Sequence, residues 1–125
     1  MFDLNAYQWK NRLLLISAPS EDSLDYQLQM RMLEGQRPKF EDRDLLVVEL
    51  LEICKSRIAT QSIDEATAAK IRSRFNLDPQ EFSVILVGKD GTSKRRYVSP
   101  VSPGDVFAEI DTMPMRRQEM RSHSG

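Results

Sequence analysis

Three short apolar runs stand out along the chain: Leu13-Leu14-Leu15-Ile16, Leu45-Leu46-Val47-Val48 continuing past Glu49 to Leu50-Leu51, and Phe82 to Val87. Continuous apolar runs of this length, closed by turn residues such as Ala18-Pro19-Ser20, predict strands covered on both faces. Between the first two runs, Ser20, Glu21, Asp22 and Ser23 supply the hydroxyls and acids of a helix start. Leu24, Leu28 and Met32 then recur at four-residue spacing with Leu33 beside them. That spacing predicts a helical core stripe ending near Gly35 and Pro38. Two buried strands joined by a helix make a right-handed βαβ unit.

Residues 52–61 carry no clear period and read as a loop with at most one helical turn. Ser62 and Glu65 have capping-box spacing ahead of Ala68, Ile71 and Phe75, which predicts a second helix broken by Asn76 to Pro79. Asp90-Gly91 is a two-residue hairpin signal, and the return strand Lys94–Val98 is polar, as an edge strand should be. Ser102 has the character of an N-cap, with Pro103 in the first helical position and Asp105 three residues after the cap. Val101 and Val106 flank it at staple positions, and Val106, Phe107 and Ile110 form a buried face. The predicted order is β-α-β-α-β-β-α. It is an α/β, thioredoxin-like pattern with a four-stranded mixed sheet flanked by helices and its third strand antiparallel to the first two. One domain fills residues 1–125, with an ordered core of about 8–115 and a tail at 116–125.

Composition narrows the function classes. The 125 residues are 40% hydrophobic and 30% charged, in the range of a globular domain. A net charge of -1 removes the case for a nucleic-acid binder or a polybasic membrane protein. No apolar run approaches the ~20 residues of a membrane span. Cys54 is the only thiol, so neither an internal disulfide nor a CxxC pair can form. The only histidine, His123, stands in the Ser/Gly-rich end, so a tetrahedral zinc site or a histidine-based triad is not expected. No spacing implies a metal or a cofactor. Met1-Phe2-Asp3-Leu4-Asn5 lacks the basic and apolar regions of a secretory signal. The expectation is cytoplasmic if the chain is complete as written, and periplasmic or secreted if a signal has been removed.

Three segments carry a family resemblance: Trp9-Lys10-Asn11-Arg12, Val87-Gly88-Lys89-Asp90-Gly91, and the string Ile110-Asp111-Thr112-Met113-Pro114-Met115-Arg116-Arg117-Gln118-Glu119-Met120. With them the chain resembles a small bacterial domain of unknown function shared with animal sushi-repeat-containing and related extracellular-matrix proteins. The resemblance implies a thioredoxin-like, distantly peroxiredoxin-like fold, and no established chemistry. Active thioredoxins place two cysteines where the first strand turns into the first helix, because a helix N-terminus stabilises a thiolate. Here that turn is Ala18-Pro19-Ser20-Glu21-Asp22-Ser23, without sulfur, and Phe82-Ser83 stands where a proline would face the redox pair.

The candidate sites each have two readings. Cys54 could be a nucleophile with Lys55 and Arg57 lowering its pKa, or a buried structural thiol. Ser20 and Ser23 could offer hydroxyls to an anion at the helix start, or simply cap it, and Glu21 and Asp22 would repel a phosphate there. Trp9 and Arg12 could bind a partner, or Trp9 could pack on the sheet edge with the cations in water. Arg95 and Arg96 read as edge-strand guards. The string Met113 to Arg121 combines adaptable methionines with Arg116, Arg117 and Arg121 for partner contact, or else its methionines close the domain's own core. Two functions follow. One is a redox-inactive interaction module for a protein partner or for self-association; the other is a one-cysteine peroxidase or thiol reductase using Cys54.

Overall fold

The computed structural model describes residues 4–52, 55–59 and 61–124. After a 3-10 turn at Leu4–Tyr7, the chain forms β1 (Arg12–Ser17), α1 (Leu24–Leu33), α2 (Arg37–Asp42), β2 (Leu45–Leu50), β3 (Arg57–Ile58), β4 (Gln61–Ser62) and α3 (Glu65–Arg74). It continues through β5 (Ser83–Val87), β6 (Ser93–Tyr97), α4 (Pro103–Asp111) and α5 (Pro114–Ser124). The sheet order is β4-β3-β2-β1-β5-β6. β1 runs parallel to β2, with Leu14 opposite Val47, and antiparallel to β5, with Leu14 opposite Leu86. The four expected strands are β1, β2, β5 and β6, and the third of them, β5, runs antiparallel to the first two. The sheet has six strands, however, because β3 and β4 form in the stretch read as a loop.

Alternation along β1 splits the core. Leu14 and Ile16 join Val84, Leu86, Val106, Phe107 and Ile110 on one face, while Leu13 and Leu15 join Ile85, Val87, Ala68 and Ile71 on the other. Helices α1, α2 and α4 contribute to the first face and α3 to the second. This explains the apolar run from Leu13 to Ile16 at the centre of β1, a strand buried along its whole length.

Helix starts follow their caps, with one correction. Ser23 Oγ accepts from Tyr26 N and Ser102 Oγ from Asp105 N, as expected. α3 is capped by Asp64, whose carboxylate accepts from Thr67 N at 2.7 Å; a carboxylate two residues closer to the helix displaces Ser62 from that role. The predicted α1 stripe is also corrected. Leu24 is 81% exposed and Leu28 45%, while Tyr26 and Gln29 are buried, with Met30 and Leu33 packed beside them. Gln29 can face inward because its amide answers both backbone groups of Val101, at 2.9 and 2.8 Å.

Two further differences concern the ends of elements. The β5–β6 connection spans Gly88 to Thr92, wider than a two-residue turn, with Gly91 at φ +82° and a register shift at Leu86/Val87. Residues 116–124, expected as part of a tail, lie in α5. Among the described residues no helix is long and apolar enough to cross a membrane.

Candidate functional site

The three segments that carry the family resemblance lie far apart in sequence and meet at the amino end of β1. Arg12, the first residue of β1, is only 1% exposed. Its Nη1 and Nη2 donate to Oε1 and Oε2 of Glu119 at 3.2 Å each, and Nη1 also donates to the Arg43 carbonyl at 2.9 Å. Lys89, from the β5–β6 turn, donates to Glu119 Oε2 at 2.8 Å and to Asp44 Oδ2 at 2.9 Å. Burial pushes the Glu119 carboxyl up, but the hydrogen bonds from Arg12 and Lys89 outweigh it and hold the group below its ordinary value.

A second fork locks α5 to α2. Arg116, 4% exposed, donates to Asp42 through Nη2 at 2.7 Å and to Asp111 through Nε at 3.0 Å. Asp111 also accepts from Arg43, whose guanidinium lies 4.5 Å from the Phe107 ring centre. Around these two forks four cations face four carboxylates. That balance satisfies charges that would be costly to bury alone.

The backbone at this pole is strained. Trp9 has φ +71° and Asp44 φ +50°, left-handed conformations that a side chain makes unfavourable. Each is pinned: Trp9 N donates to the Lys89 carbonyl, and the Asp44 carbonyl accepts from Arg12 N. Trp9 is nonetheless 62% exposed, so its ring is not packed on the sheet edge. Beside it opens a groove of about 480 Å³ walled by Trp9, Lys94, Met113, Pro114 and Met115, with Arg12 and Lys89 reaching it from within. Arg12 Nε is buried and has no hydrogen-bond partner. Mostly apolar walls with a few fixed polar groups are what a binding cleft needs.

The sequence-predicted residues divide sharply. Trp9 and Arg12 come together here, but Arg12 is held inside rather than presented in water. Arg116 is likewise buried in its fork, whereas Arg117 is exposed on α5. Met113 packs against the core while Met115 stays exposed on the rim. Ser20 and Ser23 lie at the opposite pole, and both hydroxyls are engaged as local acceptors, from Asp22 N and Tyr26 N. Cys54 lies outside the described residues.

Sequence reasoning missed Lys89, Glu119, Asp44 and Asp111. Lys89, Asp111 and Glu119 stand inside the quoted segments, but a charge that will be buried looks like any surface charge until its partner is known. A second buried charge went unnoticed as well. Glu49 on β2 accepts from the Tyr26 hydroxyl and from Arg57, at 2.8 Å to Nε and 3.0 Å to Nη2. Burial first, and then the bond to Glu49, push the Tyr26 phenol far above its usual value. Among the described residues no three His, Cys, Asp or Glu side chains converge on a metal position.

Comparison with known proteins agrees with this architecture. The reduced 2-Cys peroxiredoxin of Plasmodium vivax superposes with a TM-score of 0.66 at 13% identity, over 94% of this chain and 85% of that one. Thioredoxin peroxidase I of Plasmodium yoelii superposes with a TM-score of 0.67 at 13% identity, over 92% and 79%. At such identity the likeness concerns the fold, which is thioredoxin-like. In sequence, the sushi repeat-containing protein SRPX of rat and that of human are each 37% identical over 94% of this chain and 26% of their own length. Coiled-coil domain-containing protein 80 of zebrafish is 36% identical over 94% of this chain and 15% of its own. The chain thus spans about a quarter of the sushi-repeat relatives. Residues 3–119 match the domain of unknown function DUF4174, a stretch that takes in the first two converging segments and the third as far as Glu119, and the chain belongs to that family.

Proposed function

We propose that this domain is a redox-inactive thioredoxin-like interaction module, and that a protein segment docks in the groove between Trp9 and Met115. The observation that carries the reading is Trp9: a large aromatic, mostly exposed, held in a costly backbone conformation beside an apolar groove. Strain of this kind persists where surrounding structure enforces it, and it collects at binding sites. Tryptophan is also a common anchor of interfaces. A segment suited to the groove offers an apolar side chain to Trp9 and Met115. The relatives fit a module, since the match occupies only a fraction of proteins named for sushi repeats or for a coiled coil.

Trp9 is the only tryptophan, so its fluorescence reports the groove directly. The test is to pan a peptide library against the intact chain and titrate the selected peptides while following Trp9 emission. The expected result is a saturable blue shift, weakened at least about tenfold in Met115→Ser without a change in melting temperature. Selected peptides that leave Trp9 emission unmoved would overturn the placement.

The competing reading is a one-cysteine peroxidase or thiol reductase acting through Cys54, supported by the peroxiredoxin-like fold. Intact-mass analysis during hydrogen peroxide titration separates the two. Rapid gain of one oxygen, lost in Cys54→Ser, would favour the enzyme; a sluggish thiol favours the module.

A further inference from the structure

β6 closes one end of the sheet, and Ser93 to Arg96 are all exposed along it. The outer side of such a strand carries unpaired N–H and C=O groups, a template for a further strand. The bond from Gly88 N to the Thr92 carbonyl shows that the even-numbered residues of β5 turn their backbone groups towards β6. Val84 and Leu86 therefore share ladder bonds with their register partners Tyr97 and Arg95. Arg96, between those two, turns its N–H and C=O outward. Val98, two residues on, is 75% exposed and makes no backbone hydrogen bond among the described residues. The register shift of this pair lies at Leu86/Val87, so the stretch from Arg95 onward runs clear of it.

Charge selects the occupant of this edge. Arg74, Arg95 and Arg96 have no carboxylate partner among the described residues: Arg96 donates to the Phe75 and Asn76 carbonyls at the end of α3, and Arg74 to Asn5 and the Gly91 carbonyl. Arg96 stands on the α3 face of the sheet, as does its register partner Ile85, which packs with Ala68 and Ile71. On the opposite face Glu109 and Asp105 of α4 act on Tyr97 together with Arg95, so the uncompensated positive charge lies on the α3 side. Pairing β6 with a second copy of itself would set Lys94, Arg95 and Arg96 against the same cations, and like charges facing across strands destabilise. A strand with a carboxylate at every second position instead meets Arg96 and Arg74 on one face and turns its uncharged side chains towards Glu109.

We infer that the free edge of β6 binds an extended acidic protein segment by strand addition, with the carboxylates of that segment on the α3 face beside Arg96. Neither Arg96 nor Val98 lines the groove at Trp9, so the two surfaces can be tested apart. The probe is a short synthetic peptide alternating glutamate with threonine, titrated into the intact ¹⁵N-labelled chain; a peptide alternating lysine with threonine is the control. The Arg96 and Val98 amides should shift saturably and gain at least about tenfold protection from hydrogen exchange. The glutamate peptide should bind at least about tenfold more tightly than the lysine one. Val98→Pro removes a donor that bonds nothing within the chain, so it should keep the melting temperature and weaken the glutamate peptide at least about tenfold. Arg96→Gln keeps a donor for the α3 carbonyls and should weaken the same peptide while making its binding less sensitive to salt. Four results would overturn the inference: a lysine peptide that matches the glutamate one; both variants binding as before; a free chain already dimeric with the Arg96 N–H protected; or binding that moves Trp9 emission and leaves Arg96 unprotected, which belongs to the groove.

Discussion

Arg12 and Glu119 stand 107 residues apart and meet through two parallel N–H···O contacts of 3.2 Å. The pair ties the first residue of β1 to the last helix, and Lys89 joins it from the β5–β6 turn. Because the arginine is almost fully buried, the two partners are not equivalent to a surface ion pair. Removing the carboxylate leaves a guanidinium with no route to water. Glu119→Ala is therefore expected to cost about 3 kcal/mol, the range for breaking a buried pair, whereas Arg12→Met combined with Glu119→Leu should recover much of it. Urea denaturation of the three proteins checks this; a Glu119→Ala loss below ~1 kcal/mol would place the pair among ordinary surface contacts.

Acid should open the same pole. Glu119 and Asp111 are both held below their ordinary values: burial pushes each up, but bonds from Arg12 and Lys89, and from Arg43 and Arg116, outweigh it. A carboxyl with a lowered folded pKa contributes stability that is complete above its unfolded value. That contribution is lost as pH falls through the folded one. The melting temperature should hold steady near neutrality and drop below about pH 4, where unfolded carboxyls begin to take up protons. Glu119→Gln should flatten that decline, since it removes one of the two titrating groups. An unchanged slope would mean that the acid limb belongs to other carboxylates.

At the groove's edge, the Asp90 carboxyl is held well below its ordinary value, at about 2. The first cause is the hydrogen bond from Lys94 Nζ at 2.7 Å, joined by Thr92 N and Oγ1 at 3.0 and 2.8 Å. The pair is well exposed, so its weight in stability is small and screened by salt. Its value lies in being measurable. A ¹³C titration of the Asp90 carboxyl should find the low midpoint, and Lys94→Ala should move it towards the ordinary ~3.9. The two residual bonds from Thr92 should stop it short of that figure.

How far the chain could be read in advance depended on whether a feature was local. The Ser102 cap, Pro103 and the Val101–Val106 staple lie within a few residues of one another, and α4 starts where they say. β1 is legible because burial on both faces leaves nothing but Leu and Ile to read. Leu24 and Leu28 mislead because spacing fixes a face, not its direction. The inward face of α1 is set instead by Tyr26, with Glu49 to receive its hydroxyl, and by Gln29, with the Val101 backbone to receive its amide. β3 and β4 have two residues each, too short for any alternation to show. The ion-paired pole was hidden for the same reason as Gln29. Arg12 and Arg116 read as solvated cations because Glu119 and Asp42 come to them only through the tertiary fold.

Tyr26 offers a test of the other buried charge. Its hydroxyl donates to Glu49, which Arg57 also holds, so Tyr26→Phe removes that bond and the one its oxygen accepts from Arg57 Nη2 at 3.1 Å, and leaves the carboxylate still paired. The expected cost is about 1.5–3 kcal/mol, the range for a hydrogen bond to a charged group. In alkali the sign reverses from the carboxylates. A phenol whose folded pKa is raised contributes stability that is complete below its unfolded value of ~10 and fades as pH climbs beyond it. Ultraviolet titration of the three tyrosines should show one that ionises only with unfolding, and that step should vanish in Tyr26→Phe.

The sharpest separation of structure from function is at Trp9. If the residue served the fold, replacing it would destabilise; at φ +71° the opposite is expected. Glycine visits the left-handed region without the roughly 1–2 kcal/mol that a side chain costs there. Little apolar contact is lost, because most of the ring faces water. The bond from the backbone of residue 9 to the Lys89 carbonyl needs no side chain and should survive. Trp9→Gly should therefore raise stability by about 1 kcal/mol, an increase of several degrees in melting temperature for a domain of this size. The same change removes the aromatic wall of the groove, so any ligand selected on the intact chain should lose at least about tenfold in affinity. Calorimetry and binding on this one variant would then move in opposite directions. A tryptophan that makes the protein less stable while improving its contacts is held in place for what it touches outside the domain. Should Trp9→Gly instead melt lower than the parent, the residue is structural and the groove loses its principal anchor.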